Sequence, residues 1–101
     1  MIAVGIDTHK ATHVAVALSG LGELLGEISI AVTIAGYQQI NRWLDGLDEG
    51  DEPISVGIEG AGSWGAGLCE YLTCAGREVF EVERPARRVR RNGKSDRIDA
   101  L

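Results

Sequence analysis

Four carboxylates in this 101-residue sequence, Asp7, Glu59, Asp96 and Asp99, sit where the apolar pattern can put them to chemical use. Asp7 follows the apolar run Ile2-Ala3-Val4-Gly5-Ile6, and Glu59 follows Ile54-Ser55-Val56-Gly57-Ile58. Short apolar runs with β-branched residues read as buried strands. Asp96 and Asp99 are three apart where Ser95 would cap a helix, so they share one face. If the two strands are neighbours, residues 7 and 59 come within reach of each other across the strand spacing of ~4.8 Å. Two carboxylates held that close repel unless a cation lies between them. Hard oxygen ligands with room for water suit Mg²⁺ or Mn²⁺. With Asp96 and Asp99 leaning over the same strand ends, the cluster could hold two ions ~4 Å apart. That arrangement activates a water or hydroxyl and stabilises the leaving oxygen of a phosphodiester.

Such acids need a frame to converge on. Residues 2 to 6 predict a first strand with Asp7 at or near its end, and Thr8, His9 and Lys10 a polar turn. Residues 12 to 18 alternate, with Val14, Val16 and Leu18 on one face and His13, Ala15 and Ala17 on the other, a second strand. After the turn residues Ser19-Gly20-Leu21-Gly22, residues 23 to 30 return as a third, completing an antiparallel meander. The period then changes. Ile34, Tyr37, Ile40, Leu44 and Leu47 recur at three and four, predicting a helix capped by Thr33, and residues 46 to 53 an acidic surface loop.

A helical crossover makes the strand at 54 to 58 parallel to the first. A helix over about 63 to 75 follows, with Leu68, Tyr71, Leu72 and Ala75 facing inward and Gly76 ending it. Residues 78 to 82 predict a fifth strand, 84 to 94 a loop or irregular helix, and Ser95 the start of a last helix cut off after Leu101. The order βββαβαβα with a mixed sheet ordered 3-2-1-4-5 and helices packed on it describes the α/β, ribonuclease H-like class.

The formal net charge of -5 is unevenly spread. Residues 84 to 101 hold Arg84, Arg87, Arg88, Arg90, Arg91, Lys94 and Arg97 against two aspartates, a local +5, which leaves -10 on the first 83 residues. An acidic body with a basic end can hold a polyanion locally. A basic run directly before Asp96 suits phosphate contact, with Lys10 as a further candidate; the plain alternative is a solvated loop. No apolar run approaches the ~20 residues of a membrane span, and Asp7 interrupts the first one, so the expected location is the cytoplasm. Cys69 and Cys74 lack a metal-ligand spacing and read as reduced packing residues. Trp64 reads as a core residue at a helix start, the alternative being a platform for a base.

The blocks Gly5-Ile6-Asp7-Thr8-His9-Lys10, Gly57-Ile58-Glu59-Gly60-Ala61-Gly62 and Gly93-Lys94-Ser95-Asp96-Arg97-Ile98-Asp99-Ala100-Leu101 resemble the three signature blocks of the DEDD transposases of bacterial insertion sequences, and of the Piv-type invertases. The resemblance runs nearly the full length. It implies a RuvC-like N-terminal domain over residues 1 to 101, ending in or just after its last helix, with Asp7, Glu59, Asp96 and Asp99 as metal-binding catalytic residues. It further implies metal-dependent DNA cleavage and transfer during transposition, guided by an element-encoded RNA. A C-terminal domain contributing a serine, and a homo-oligomeric complete protein, are expected with it; the 101 residues alone would be inactive.

Three other readings compete. Gly60, Gly62 and Gly65 spell the G-x-G-x-x-G of a dinucleotide-binding turn, with Glu81 and Glu83 about 20 residues on. Against it, Glu59 would repel a pyrophosphate from the strand position before the first glycine. The actin-like ATPase and sugar kinase superfold shares the βββαβα order but uses two such domains. A non-catalytic nucleic-acid-binding module would need only the basic stretch. In that case Asp7 merely starts a turn and Asp96 answers a helix dipole.

Overall fold

Alternation decides the architecture. A computed structural model of the chain describes residues 1–48 and 52–82. Its elements are β1 (Ile2–Thr8), β2 (Thr12–Leu18), β3 (Leu24–Ala31), α1 (Ile34–Leu47), β4 (Ile54–Glu59), α2 (Ala66–Cys74) and β5 (Val79–Val82). Among the described residues they form one five-stranded sheet ordered β3-β2-β1-β4-β5. β1 and β2 pair antiparallel, as do β2 and β3, whereas β4 runs parallel to both β1 and β5. This is the predicted sheet order. The helix expected after Ser95 and the basic stretch before it lie outside the described residues.

Every second residue of the central strands turns toward the helices. Ile2, Val4, Ile6, Ala15, Ala17, Ile30, Val56 and Ile58 are buried there with Tyr37, Ile40 and Leu44 of α1 and Leu68 and Leu72 of α2. Truncating a fully buried Ile40, Leu44, Ile58, Leu68 or Leu72 to alanine would cost roughly 2–5 kcal/mol. On β2 the smaller residues, Ala15 and Ala17, take the helix side. The bulkier Val14, Val16 and Leu18 line the other face, which is open among the described residues.

Thr33 caps α1 as predicted, its hydroxyl oxygen accepting the Gly36 N–H at 3.0 Å. Gly36 is there because the chain turns back on itself: a side chain at this position would run into the Ala31 carbonyl oxygen. Arg77, in the turn before β5, ties α2's end to α1. Its Nε donates to Asn41 Oδ1 at 2.6 Å, and its Nη2 donates to the Asn41 carbonyl at 3.1 Å and to Asp45 Oδ1.

Several local expectations shift. Ile34 is exposed because it lies on the first turn of α1, ahead of the stripe Tyr37, Ile40 and Leu44. Predicted to begin near residue 63, α2 starts at Ala66, since the Ser63 and Gly65 N–H groups both donate to the Gly60 carbonyl and fold residues 60 to 65 into turns. Ala75 caps α2 and is exposed, and Gly76 leaves the helix with φ +90°. Cys69 is half-buried, but Cys74 is exposed, so only the first is a packing residue; both are free thiols.

Candidate metal centre

β1 and β4 run in register from Ile2 opposite Ile54 to Ile6 opposite Ile58. Asp7 and Glu59 are the next residues on each strand. Because Ile6 and Ile58 point to the core, the following side chains turn to the opposite face. There Asp7 and Glu59 line the same open trough of about 460 Å³. Its floor is small, with Ala3, Gly5, Ser55 and Gly57, and its sides carry Val16 on β2 and Phe80 and Val82 on β5. The carboxylates stand at the end of the trough where both strands finish.

This position puts two half-exposed carboxylates on adjacent strands, open to water, and their hard oxygens are the donor type that suits a divalent cation. His9 Nε2 lies 3.3 Å from Asp7 Oδ2. With side-chain exposures of 62% and 42%, that pair is solvated and contributes little to stability. Lys10 is exposed in the turn at the same end of β1. Among the described residues no group of three His, Cys, Asp or Glu side chains converges tightly enough to hold a metal ion. The other two predicted ligands, Asp96 and Asp99, lie outside the described residues, as do Arg84, Arg87, Arg88, Arg90, Arg91, Lys94 and Arg97.

The glycine-rich turn after Glu59 is closed on itself. Gly60 adopts φ +72°, and its carbonyl takes the Ser63 N–H at 3.0 Å and the Gly65 N–H at 2.9 Å. Two amides that a dinucleotide turn would offer to a pyrophosphate are thus already used. The antiparallel meander of β1 to β3 is likewise foreign to a doubly wound sheet. Trp64, expected in the core, is half-exposed on this turn.

Two residues beside the carboxylates are not singled out by the sequence pattern. Thr8, expected in a turn, is the last residue of β1 and fully buried, and its hydroxyl donates to the Glu59 carbonyl at 2.6 Å. Opposite it on β2, His13 is also fully buried, and neither ring nitrogen has a hydrogen-bond partner within normal geometry. Burial lowers its pKa below 6.5; the nearby main chain of Thr12 opposes this, His9 adds to it, and the Trp64 main chain and Asp7 oppose it in turn. Both positions were foreshadowed by alternation: Thr8 continues the row Ile2, Val4, Ile6, and His13 begins the row completed by Ala15 and Ala17.

The transposase family model DEDD_Tnp_IS110 matches residues 4–101. The chain belongs to this DEDD transposase family. None of the curated protein sequences compared matches it. Among solved structures, this DEDD transposase chain is similar to Thermus thermophilus RuvC at TM-score 0.55 and 16% identity over 83% of the chain. It spans 64% of that RuvC chain. LC11-RNase H1, solved in complex with an RNA/DNA hybrid, matches at TM-score 0.52 and 16% identity, covering 87% of this chain and 88% of its own. The ethanolamine utilization protein EutJ from Carboxydothermus hydrogenoformans matches at TM-score 0.53 and 22% identity, covering 95% of this chain and 42% of its own. At these identities the likeness is one of fold, and the ribonuclease H-like sheet carries the first two of the three blocks, at β1 and β4. Among the described residues no helix is long and apolar enough to cross a membrane.

Proposed function

We propose that residues 1 to 101 form the N-terminal catalytic domain of an insertion-sequence transposase, working on DNA with Mg²⁺ or Mn²⁺. The observation that carries this is the placement of Asp7 and Glu59, which follow the last paired residues of adjacent parallel strands and line one trough. In this reading Asp7 and Glu59 would hold a divalent ion, with Asp96 and Asp99 as the further ligands and two ions in the complete protein. When bound, such ions supply Lewis acidity for phosphodiester cleavage and transfer. The carboxylates fix the place of the ions, and the strands prevent them from separating. Lys10, Arg84, Arg87, Arg88, Arg90, Arg91, Lys94 and Arg97 neutralise backbone phosphates and bring the strand to the acids. A serine-bearing C-terminal domain, an element-encoded guide RNA and a further copy of the chain complete the working assembly in the cytoplasm, and the 101 residues alone are inactive.

Calorimetric titration with Mn²⁺ tests the reading. The wild-type chain should bind in the millimolar range or better, and Asp7→Asn with Glu59→Gln should abolish that binding. Equal heats from both proteins would exclude the metal centre and leave a module that contacts nucleic acid through its basic stretch alone.

A further inference from the structure

We infer that Thr8 is a positioning residue for the carboxylate pair: its buried hydroxyl locks the end of β4 to the end of β1 and so sets where Glu59 stands beside Asp7. The inference rests on the metal-centre reading above and names the device that holds that centre in shape.

The register pairs of β1 and β4 end at Ile6 and Ile58, one residue short of the acids. Each acid is held on its outer side, Asp7 opposite Val14 of β2 and Glu59 opposite Val82 of β5, so only a contact between β1 and β4 themselves could extend their pairing to the acids. Thr8 does so from below the sheet. It follows Ile2, Val4 and Ile6 on the helix side and is fully buried, where an unpaired hydroxyl would be costly. Its Oγ1 donates across the strands to the Glu59 carbonyl at 2.6 Å. The main chain of Glu59 is therefore gripped on one face of the sheet while its side chain lies on the other, next to Asp7.

The rest of the Thr8 side chain is also committed. A Cβ on Gly65 would come within 2.9 Å of Thr8 Cγ2 and 2.8 Å of Ile58 Cγ2, so the glycine turn lies directly on the threonine methyl. A β-branched side chain has few χ1 choices to begin with. With the methyl under Gly65, the hydroxyl is aimed at the Glu59 carbonyl. Gly65 thus acts on the carboxylate pair through Thr8, by allowing the turn to close over its methyl.

The test compares Thr8→Val, which keeps the shape and removes the hydroxyl, with Thr8→Ser, which keeps the hydroxyl. Losing a supporting hydrogen bond behind a metal ligand typically weakens the metal about 10- to 100-fold. Thr8→Val should therefore bind Mn²⁺ at least about tenfold more weakly than wild type, with an unchanged far-ultraviolet circular dichroism spectrum. Thr8→Ser should stay within about threefold of wild type, well short of that loss. In chelator, hydrogen exchange at the amides of residues 60 to 65 should quicken in Thr8→Val and not in Thr8→Ser, a readout that needs no metal. Wild-type affinity in Thr8→Val, or equal losses in both variants, would overturn the inference while leaving the metal centre intact. Absence of Asp7-dependent Mn²⁺ binding in the wild type would overturn both.

Discussion

Asp7 and Glu59 stand one residue beyond the Ile6–Ile58 pair of β1 and β4, on the sheet face turned away from both helices. In the proposed function these two acids hold a divalent cation, and an ion that binds only the folded chain stabilises it. At a free Mn²⁺ concentration about ten times Kd, binding adds roughly 1.4 kcal/mol to stability, several degrees in Tm for a domain of this size. We expect Mn²⁺ to raise the Tm of the wild-type chain by that amount, and Glu59→Gln to lose the Mn²⁺ response. Thermal melts with and without Mn²⁺ decide it.

Glycines in α1 separate into two kinds. Gly36 has no space for a side chain beside the Ala31 carbonyl, whereas a Cβ at Gly46 meets nothing within 4 Å. Gly36→Ala should therefore destabilise by about 3 kcal/mol or more, the upper end of overpacking costs. Gly46→Ala should stabilise by up to ~1 kcal/mol through helix propensity. Urea unfolding midpoints of the two variants would show opposite signs.

Arg77 offers a third test. Its Nε and Nη2 satisfy a side-chain oxygen, a main-chain carbonyl and a carboxylate on α1, and its own side chain is only 16% exposed. Hydrogen bonds from a charged donor contribute about 1.5–3 kcal/mol when partly buried. Arg77→Ala should lose stability in that range, and Arg77→Lys should recover only part of it, because a single ammonium cannot span three acceptors in the same fork. Chemical denaturation is again the measurement.

The buried imidazole of His13 makes stability depend on pH. Burial holds its folded pKa below the ordinary 6.5, so between those values the unfolded chain binds more protons than the folded one. The contribution is complete above 6.5 and is lost as pH falls from there toward the folded value. His13→Leu should flatten the wild-type decline across this interval. Parallel melts at about pH 7.5 and about pH 5.0, compared as a difference between the two proteins, remove the shared titration of the carboxylates.

The sheet order was legible because each strand carries its own period and the connection lengths leave few topologies. The meander needs only the turn at residues 19 to 22, and the change from a period of two to one of about 3.6 after Ile30 announces the crossover. Asp7 and Glu59 were legible as acids ending apolar runs. Their partnership with the main chain was not, because nothing in the type or spacing of Thr8 says that its hydroxyl reaches a carbonyl 51 residues away. The start of α2 was misjudged for a similar reason. Helix propensity across 63 to 65 is overridden by the Gly60 carbonyl, which draws two of those amides into turns. Trp64, apolar enough for a core, rides out on that turn into solvent.

A long stretch of chain separates the two acids, and the α1 crossover is what brings β4 alongside β1. During synthesis the β1–β2–β3 meander can close from local contacts, but the strand bearing Glu59 must return to the open edge of β1, a slower and longer-range event. The end of the trough where Asp7 and Glu59 meet is therefore among the last parts of the domain to exist. A half-made chain leaving the ribosome carries Asp7 on β1 with no second acid beside it until β4 docks.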